Sequence, residues 1–240
     1  MSWHQDLLAG FDLETTGTDI ERDRIVTAAL IRLDGDGTTV VRQTWLIDPG
    51  IPVPEEAAAI HGMSTVYVRE HGVSAKTAVE EITEALAEAL RAGIPLVVMN
   101  ARYDLSLLDR ECRRHGVRSL TERLGRAPSP VIDPLVLDRH VDRYRKGKRA
   151  LQALCAHYGV PLVGAHEAGA DAVAAAGVAR RIGERYPVVA LPSPEALHTL
   201  QEGAAAEQAT DFQAYLRRSG KPEAYVEGAW PLIPHQAPHD

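Results

Sequence analysis

Residues 24–33 and 38–47 are two runs rich in Val, Ile and Thr, separated by Asp34-Gly35-Asp36-Gly37. Such runs joined by a short acidic, glycine-containing turn predict a β-hairpin, because Gly and Asp accept the backbone angles that a tight reversal needs. The segment before them, residues 7–14, is short, apolar and then acidic, with Thr15, Thr16 and Gly17 directly after it. It reads as a buried strand ending in a turn. The chain therefore opens with three consecutive strands, expected to be antiparallel.

Helix and strand patterns then alternate. Pro49, Pro52 and Pro54 break the sheet, and a short helix is expected over residues 54–59. Ser74 has the chemistry of an N-cap for a helix over 75–92, where Val79, Ile82, Leu86 and Leu90 recur at helical spacing and Gly93 stops the run. Residues 94–99 form a fully apolar strand. A helix over 104–115 follows, then a short strand over 130–132 and helices over 134–144, 148–158 and 169–185. The fold class is α/β: a mixed five-stranded sheet, three antiparallel strands then two parallel, flanked by helices. After Tyr186 the character changes. Pro187, Pro192 and Pro194 make a linker, one helix spans 195–218 with an interruption at Gly203, and a Pro-rich tail carries Trp230. The expected division is a first domain over 1–186 and a C-terminal helical extension over 187–240.

No stretch approaches the roughly 18 consecutive apolar residues of a spanning helix, so no membrane role is expected. The N-terminal residues lack the features of a signal peptide. Cys112 and Cys155 are too few for a disulfide framework or zinc knuckle and read as small core residues, which suits a cytoplasmic location. A formal charge of −7 argues against coating nucleic acid through bulk positive charge. The exception is local: residues 139–149 hold six Lys or Arg and one Asp, a charge of +5, which reads either as a track for a phosphate backbone or as a solvated face.

The chemistry gathers at element ends. Asp12 and Glu14 lie two apart on the first strand, so both side chains point to the same face. Two carboxylates that close repel and raise each other's pKa unless a cation sits between them, and hard oxygen ligands suit Mg²⁺ or Mn²⁺. Alone, the pair reads equally well as two solvated acids. Asp104 lies in the first turn of a helix that follows an apolar strand, either at a site or as a helix-dipole residue. His166 stands in a loop five residues before Asp171, at the start of an Ala-rich helix. The pair reads as base and ligand, or as a surface residue and a cap.

Three segments carry a resemblance. FDLETTG at 11–17, NARYDLSLL at 100–108 and HEAGADA at 166–172 are similar to the three motifs of the DEDDh (DnaQ-like) 3′–5′ exonuclease family, to which the epsilon proofreading subunit of bacterial DNA polymerase III belongs. IHGMS at 60–64 and VIDPLVL at 131–137 resemble its secondary motifs, and the resemblance spans roughly residues 7–186. It implies a ribonuclease-H-like fold and two divalent metal ions, Mg²⁺ or Mn²⁺. It also implies release of nucleoside 5′-monophosphates from the 3′ end of single-stranded or frayed DNA.

The resemblance implies Asp12, Glu14, Asp104 and Asp171 as metal ligands, with Asp12 bridging both ions and His166 as general base. Leu13, Thr15, Thr16, Gly17, His61, Met63, Asn100 and Tyr103 are implied around the terminal nucleotide. Met99 stands where many relatives have His, and Tyr103 where Phe is commoner. The implied partners are single-stranded DNA or RNA 3′ ends and DNA polymerase subunits, for a monomer or homodimer. An exoribonuclease of the same chemistry is the rival reading, and a non-catalytic nucleic-acid-binding module is a further one.

Overall fold

The alternation in the first strand decides the layering of the molecule. In the computed structural model, which describes residues 2–235, β1 (Leu8–Thr15) sends Ala9, Phe11 and Leu13 into one apolar core and Leu8 into another. Successive strand side chains point to opposite faces, so one strand feeds both layers. β2 (Ile25–Leu33) pairs antiparallel along the whole of β1, and β3 (Thr39–Asp48) along β2. The turn between them is fixed by two carboxylates: Asp34 and Asp36 both accept the Thr38 N–H, at 2.8 and 3.0 Å.

α1 (Glu55–His61) and α2 (Thr65–His71) lead into β4 (Val73–Ser74), which pairs parallel with the end of β3. This edge strand makes the sheet six-stranded where five are expected, and two residues carry no periodicity that would announce it. Ser74 is the expected N-cap of α3 (Ala75–Arg91), its hydroxyl accepting the Thr77 N–H at 3.2 Å. The remaining elements are β5 (Leu96–Val97), α4 (Ala101–His115), α5 (Leu120–Leu124), β6 (Val131–Ile132), α6 (Pro134–Val141), α7 (Leu151–Tyr158), α8 (Ala168–Arg185), α9 (Pro187–Ala190) and α10 (Pro194–Arg218). The strand order is β4-β3-β2-β1-β5-β6, with β5 and β6 parallel to β1. α3 and α4 pack on one face of the sheet and α8 on the other, the arrangement of a ribonuclease-H-like fold.

α8 comes unusually near the sheet. A Cβ at Gly10 would overlap the Ala172 carbonyl, so the missing side chain lets helix and strand backbones touch. At the far end of the helix, the buried Arg180 donates to the carbonyls of His4 (2.7 Å), Asp6 (3.0 Å), Leu33 (3.2 Å) and Gly35 (2.9 Å). These bonds tie α8 to the N-terminal segment and to the hairpin.

α10 runs unbroken through Gly203, against the expected interruption. Glycine costs a helix about 1 kcal/mol relative to Ala, and bonds made one turn earlier outweigh that. Gln201 donates to Val131 O at 3.0 Å and accepts the Asp133 N–H at 2.7 Å, while His198 Nδ1 accepts the Val131 N–H at 3.1 Å. Each such buried bond contributes on the order of 1 kcal/mol. The tail beyond α10 folds back on α4: Ile233 N–H donates to Ser106 at 2.8 Å, and Trp230 is buried. Residues 236–240 of the expected extension lie outside the described residues. No helix among those described is long and apolar enough to cross a membrane.

Candidate active site

β1 outruns its parallel neighbour, and the site grows from that mismatch. β5 pairs with β1 only at Ala9 and Gly10, after which its chain turns into α4. The Leu13 N–H, farther along β1, is accepted instead by Asp104 Oδ1 at 3.2 Å, from the first turn of α4. Asp104 is only 4% exposed. Asp12 and Glu14 project from the face that meets α8, as their spacing requires, and α8 presents Asp171 in its own first turn. Carboxylates from both layers of the fold thus converge over the end of the central strand.

Glu14, His166 and Asp171 each place a ligand atom within 4.8 Å of the others. His166 adopts a left-handed backbone (φ 67°), and its N–H donates to Asp171 Oδ2 at 3.2 Å. The other Asp171 oxygen, Oδ1, is buried with no hydrogen-bond partner among the described residues. Asp12 and Asp104 are not in that group, but Asp12 feels its charge: desolvation first, then the charges of Asp104, Asp171 and Glu14, push its pKa well above the usual carboxylate range. Asp104 is raised in the same way by burial, against the N–H groups that it accepts. Desolvation and Asp171 push Glu14 up to about 7, and burial raises Asp171 despite the His166 N–H. Four carboxylates raised by burial, three of them also by the charge of others in the set and the fourth with an orphaned oxygen, form a site that fits divalent cations.

The turn after β1 is held from within. Thr16 N–H bonds Arg24 O at 2.9 Å, and its hydroxyl donates to Asp23 at 2.8 Å. A side chain at Gly17 would strike the same Asp23 carboxylate. The Thr15 hydroxyl donates to Gly17 O at 2.7 Å and lies 2.8 Å from the Tyr103 hydroxyl, which is itself bonded to Gly17 O. Tyr103 is therefore a strut between α4 and this turn, and burial pushes its pKa up to about 12. His61 is buried, its Nδ1 accepting the Met63 N–H at 3.1 Å, and desolvation lowers its pKa. Asn100 takes a left-handed backbone (φ 60°) to begin α4.

Two further acids organise the site, of which Asp23 carries no distinctive local signal. Asp23, described above, fixes the 15–17 turn. Asp133, 1% exposed, accepts the Asn100 and Ala101 N–H groups at 3.0 and 2.9 Å, caps α6 through Leu135 N–H and accepts Trp230 Nε1 at 3.2 Å. It is the N-cap that the Asp-Pro pair suggests, and it also sets where α4 starts.

The basic run 139–149 presents less free charge than its sequence suggests. Arg145 (3.0 Å) and Arg149 both hold the fully buried Asp138, which also accepts Tyr158 OH at 2.8 Å. Arg143 pairs with Glu207 at 3.2 Å and with Asp211, both on α10.

The fold is shared with solved structures. Exonuclease I of E. coli in complex with a dT13 oligonucleotide superposes with a TM-score of 0.63 over 77% of this chain and 42% of that one, at 20% identity. Exonuclease I from Methylocaldum szegediense gives 0.61 over 88% of this chain and 46% of that one, at 23% identity. Among curated proteins, a DNA polymerase III subunit epsilon-like protein of Rhodobacter capsulatus is 30% identical over 171 residues, 69% of this chain and 22% of that protein. DNA polymerase III subunit epsilon of Treponema pallidum is 28% identical over 164 residues, 68% of this chain and 69% of that protein. The chain spans about a tenth of the PolC-type DNA polymerase III of Clostridium perfringens, to which it is 25% identical. The model of the Exonuclease family (RNase_T) matches residues 9–179, which include every carboxylate of the site and His166, and the chain belongs to that family.

Proposed function

We propose that the protein is a metal-dependent exonuclease that removes nucleoside 5′-monophosphates from the 3′ end of single-stranded or frayed DNA. The observation that carries this reading is the cluster of Glu14, His166 and Asp171 at the end of β1, beside the buried Asp12 and Asp104, with an Asp171 oxygen left without a partner among the described residues. A set of this kind has little use as a structural ion pair and a clear one as a cation cradle. Asp12, Glu14, Asp104 and Asp171 would hold two Mg²⁺ or Mn²⁺ ions. Such ions stabilise the attacking and leaving oxygens of an in-line displacement at phosphorus.

The chain's own residues do the rest. His166 sits at the exposed rim beside Glu14 and Asp171 and, when neutral, accepts the proton of the attacking water. Leu13, His61 and Met63 line the approach of the terminal nucleotide. The Thr15–Thr16–Gly17 turn, braced by Asp23 and Tyr103, gives that approach a fixed wall. A positioned donor or wall costs no reorganisation during the reaction, which is why its internal bonds matter. The likeness to polymerase subunits supports a role beside a polymerase, and the cytoplasm as the place of work.

The test uses 5′-labelled single-stranded DNA and RNA of matched sequence, incubated with Mg²⁺, Mn²⁺ or EDTA, beside Asp12→Ala. A metal-dependent ladder shortening from the 3′ end, absent in the variant, is the expected result. Ladders on RNA alone move the substrate to RNA within the same chemistry. An intact strand under every metal overturns the reading.

A further inference from the structure

The first turn of α4 has two sides. Tyr103 and Asp104 face β1 and the carboxylates, whereas Asn100 and Arg102 open on a groove of about 710 Å³ between α6, α10 and the returning tail. That volume lies within the range of ligand sites, and the lining is of a particular kind. Arg139 and Arg143 stand on one side of it, Phe212 and Tyr215 of α10 on the other, and Tyr144 at the end. All three aromatic rings are exposed, Tyr144 by 87%. Phe212 and Tyr215 lie nearly parallel, their planes 14° apart and centroids 6.4 Å apart. Arg143 sits over the Tyr144 ring at 5.8 Å.

Exposed flat rings interleaved with guanidinium groups are what a single-stranded nucleic acid requires, since bases stack on any aromatic face and phosphates follow the cations. Of the three acids in the groove, Asp133 is buried and engaged by backbone N–H groups. Glu207 and Asp211 are engaged by Arg143 in pairs that are half exposed on both sides. Surface pairs of that kind contribute little and yield readily to a phosphate. Arg102 is held at the groove mouth by the Glu227 and Ala229 carbonyls, two residues before Asp104 on the same helix. We infer that this groove binds the 5′-ward part of the strand whose 3′ end lies at the carboxylates, with α10 supplying the stacking wall. The inference rests on the nuclease reading for its direction, but the binding itself is measurable without hydrolysis.

The experiment is fluorescence anisotropy in EDTA with 5′-fluorescein oligothymidylates and oligouridylates of 3, 6 and 12 nucleotides. The full chain is compared with Arg139→Ala/Arg143→Ala and Phe212→Ala/Tyr215→Ala, each checked for folding by circular dichroism. Should either double variant unfold, Arg139→Gln and Tyr215→Ser replace it. The parent is expected to gain at least about tenfold in affinity from trimer to 12-mer, and each pair of substitutions to remove most of that gain. The arginine pair also reduces the slope of log affinity against log salt by about 1.4, the value for two phosphate contacts on a single strand. The aromatic pair leaves that slope in place. The better-bound sugar identifies the strand, and the inference holds for either. A parent whose affinity does not grow with length overturns it, and so do double variants that bind the 12-mer like the parent. Length-dependent binding without hydrolysis in Mg²⁺ keeps the groove and removes the nuclease reading; hydrolysis without length dependence does the reverse.

Discussion

Asp138 and Asp104 are both buried acids on helices that follow short strands, and their surroundings are opposite. Asp138 is fully enclosed and answered by two guanidinium groups and a phenol, Arg145, Arg149 and Tyr158. Asp104 has for neighbours three more carboxylates and a backbone N–H, and no Lys or Arg bonds it among the described residues. One environment supplies the countercharge with side chains; the other concentrates negative charge and leaves the countercharge to come from solution. The first suits stability, and the second suits the cation site proposed above. Fold and function here are thus separated by who neutralises the acid.

The comparison breaks first at His166. His166→Ala is expected to lower kcat by about 10²–10⁴-fold, the usual contribution of a positioned base, while the melting temperature hardly moves because the ring is exposed. Steady-state hydrolysis of a labelled oligonucleotide beside a thermal melt checks both halves, and activity within threefold of the parent rejects the assignment.

The second prediction sets the two acids against each other. Asp138→Ala deprives two partly buried arginines of their shared carboxylate and is expected to destabilise the chain by about 3 kcal/mol. Asp104→Asn removes a repelled charge, so it leaves stability equal or higher while hydrolysis is lost. Urea denaturation of both variants gives the answer. A large loss of stability in Asp104→Asn would mean that Asp104 is structural and not part of the proposed cation site.

The third effect is the smallest and concerns pH. The folded pKa of Glu14, about 7, lies above its ordinary value near 4.5. Between those values the native state holds a proton that the unfolded chain has released, so stability must fall as pH rises through that window. In EDTA the melting temperature should therefore decline from pH 4.5 to 7, and Glu14→Gln should flatten the decline. Divalent cation at a hundred times its Kd restores about 2.7 kcal/mol. Coincident calorimetric melts with EDTA and with Mg²⁺ or Mn²⁺ at pH 7.5 would contradict a cation site.

How much of this was legible in the sequence follows the range of the interactions. Strand alternation placed Asp12 and Glu14 on one face, and the Asp-Gly turn fixed the hairpin, because both are local. The resemblance gathered Asp104, His166 and Asp171, which spacing alone left open. The partners of the basic run were hidden, since Arg143 meets Asp211 from 68 residues away and Arg149 takes Asp138. The use of Thr16 was hidden as well: nothing local marks Asp23 as the acid that holds its hydroxyl. Tyr103 was implied only as a residue around the terminal nucleotide, and the fold shows its hydroxyl tied to the 15–17 turn. β4 and α5 are too short for periodicity to announce.

The contact between Gly10 and Ala172 gives the site an unusual kind of gauge. Asp12 lies two residues beyond the glycine and Asp171 lies next to the alanine, so the distance between two of the carboxylate-bearing segments is set where backbone rests on backbone. Side-chain rotamers can trim that distance but cannot reset it. A substitution at Gly10, a residue with no functional group, would reach the chemistry as a change in ligand spacing, and Mg²⁺, with its near-ideal octahedral demand, would feel it before a more permissive ion did. For the ions proposed above, preference would then be inherited from packing, at a residue that touches no ligand.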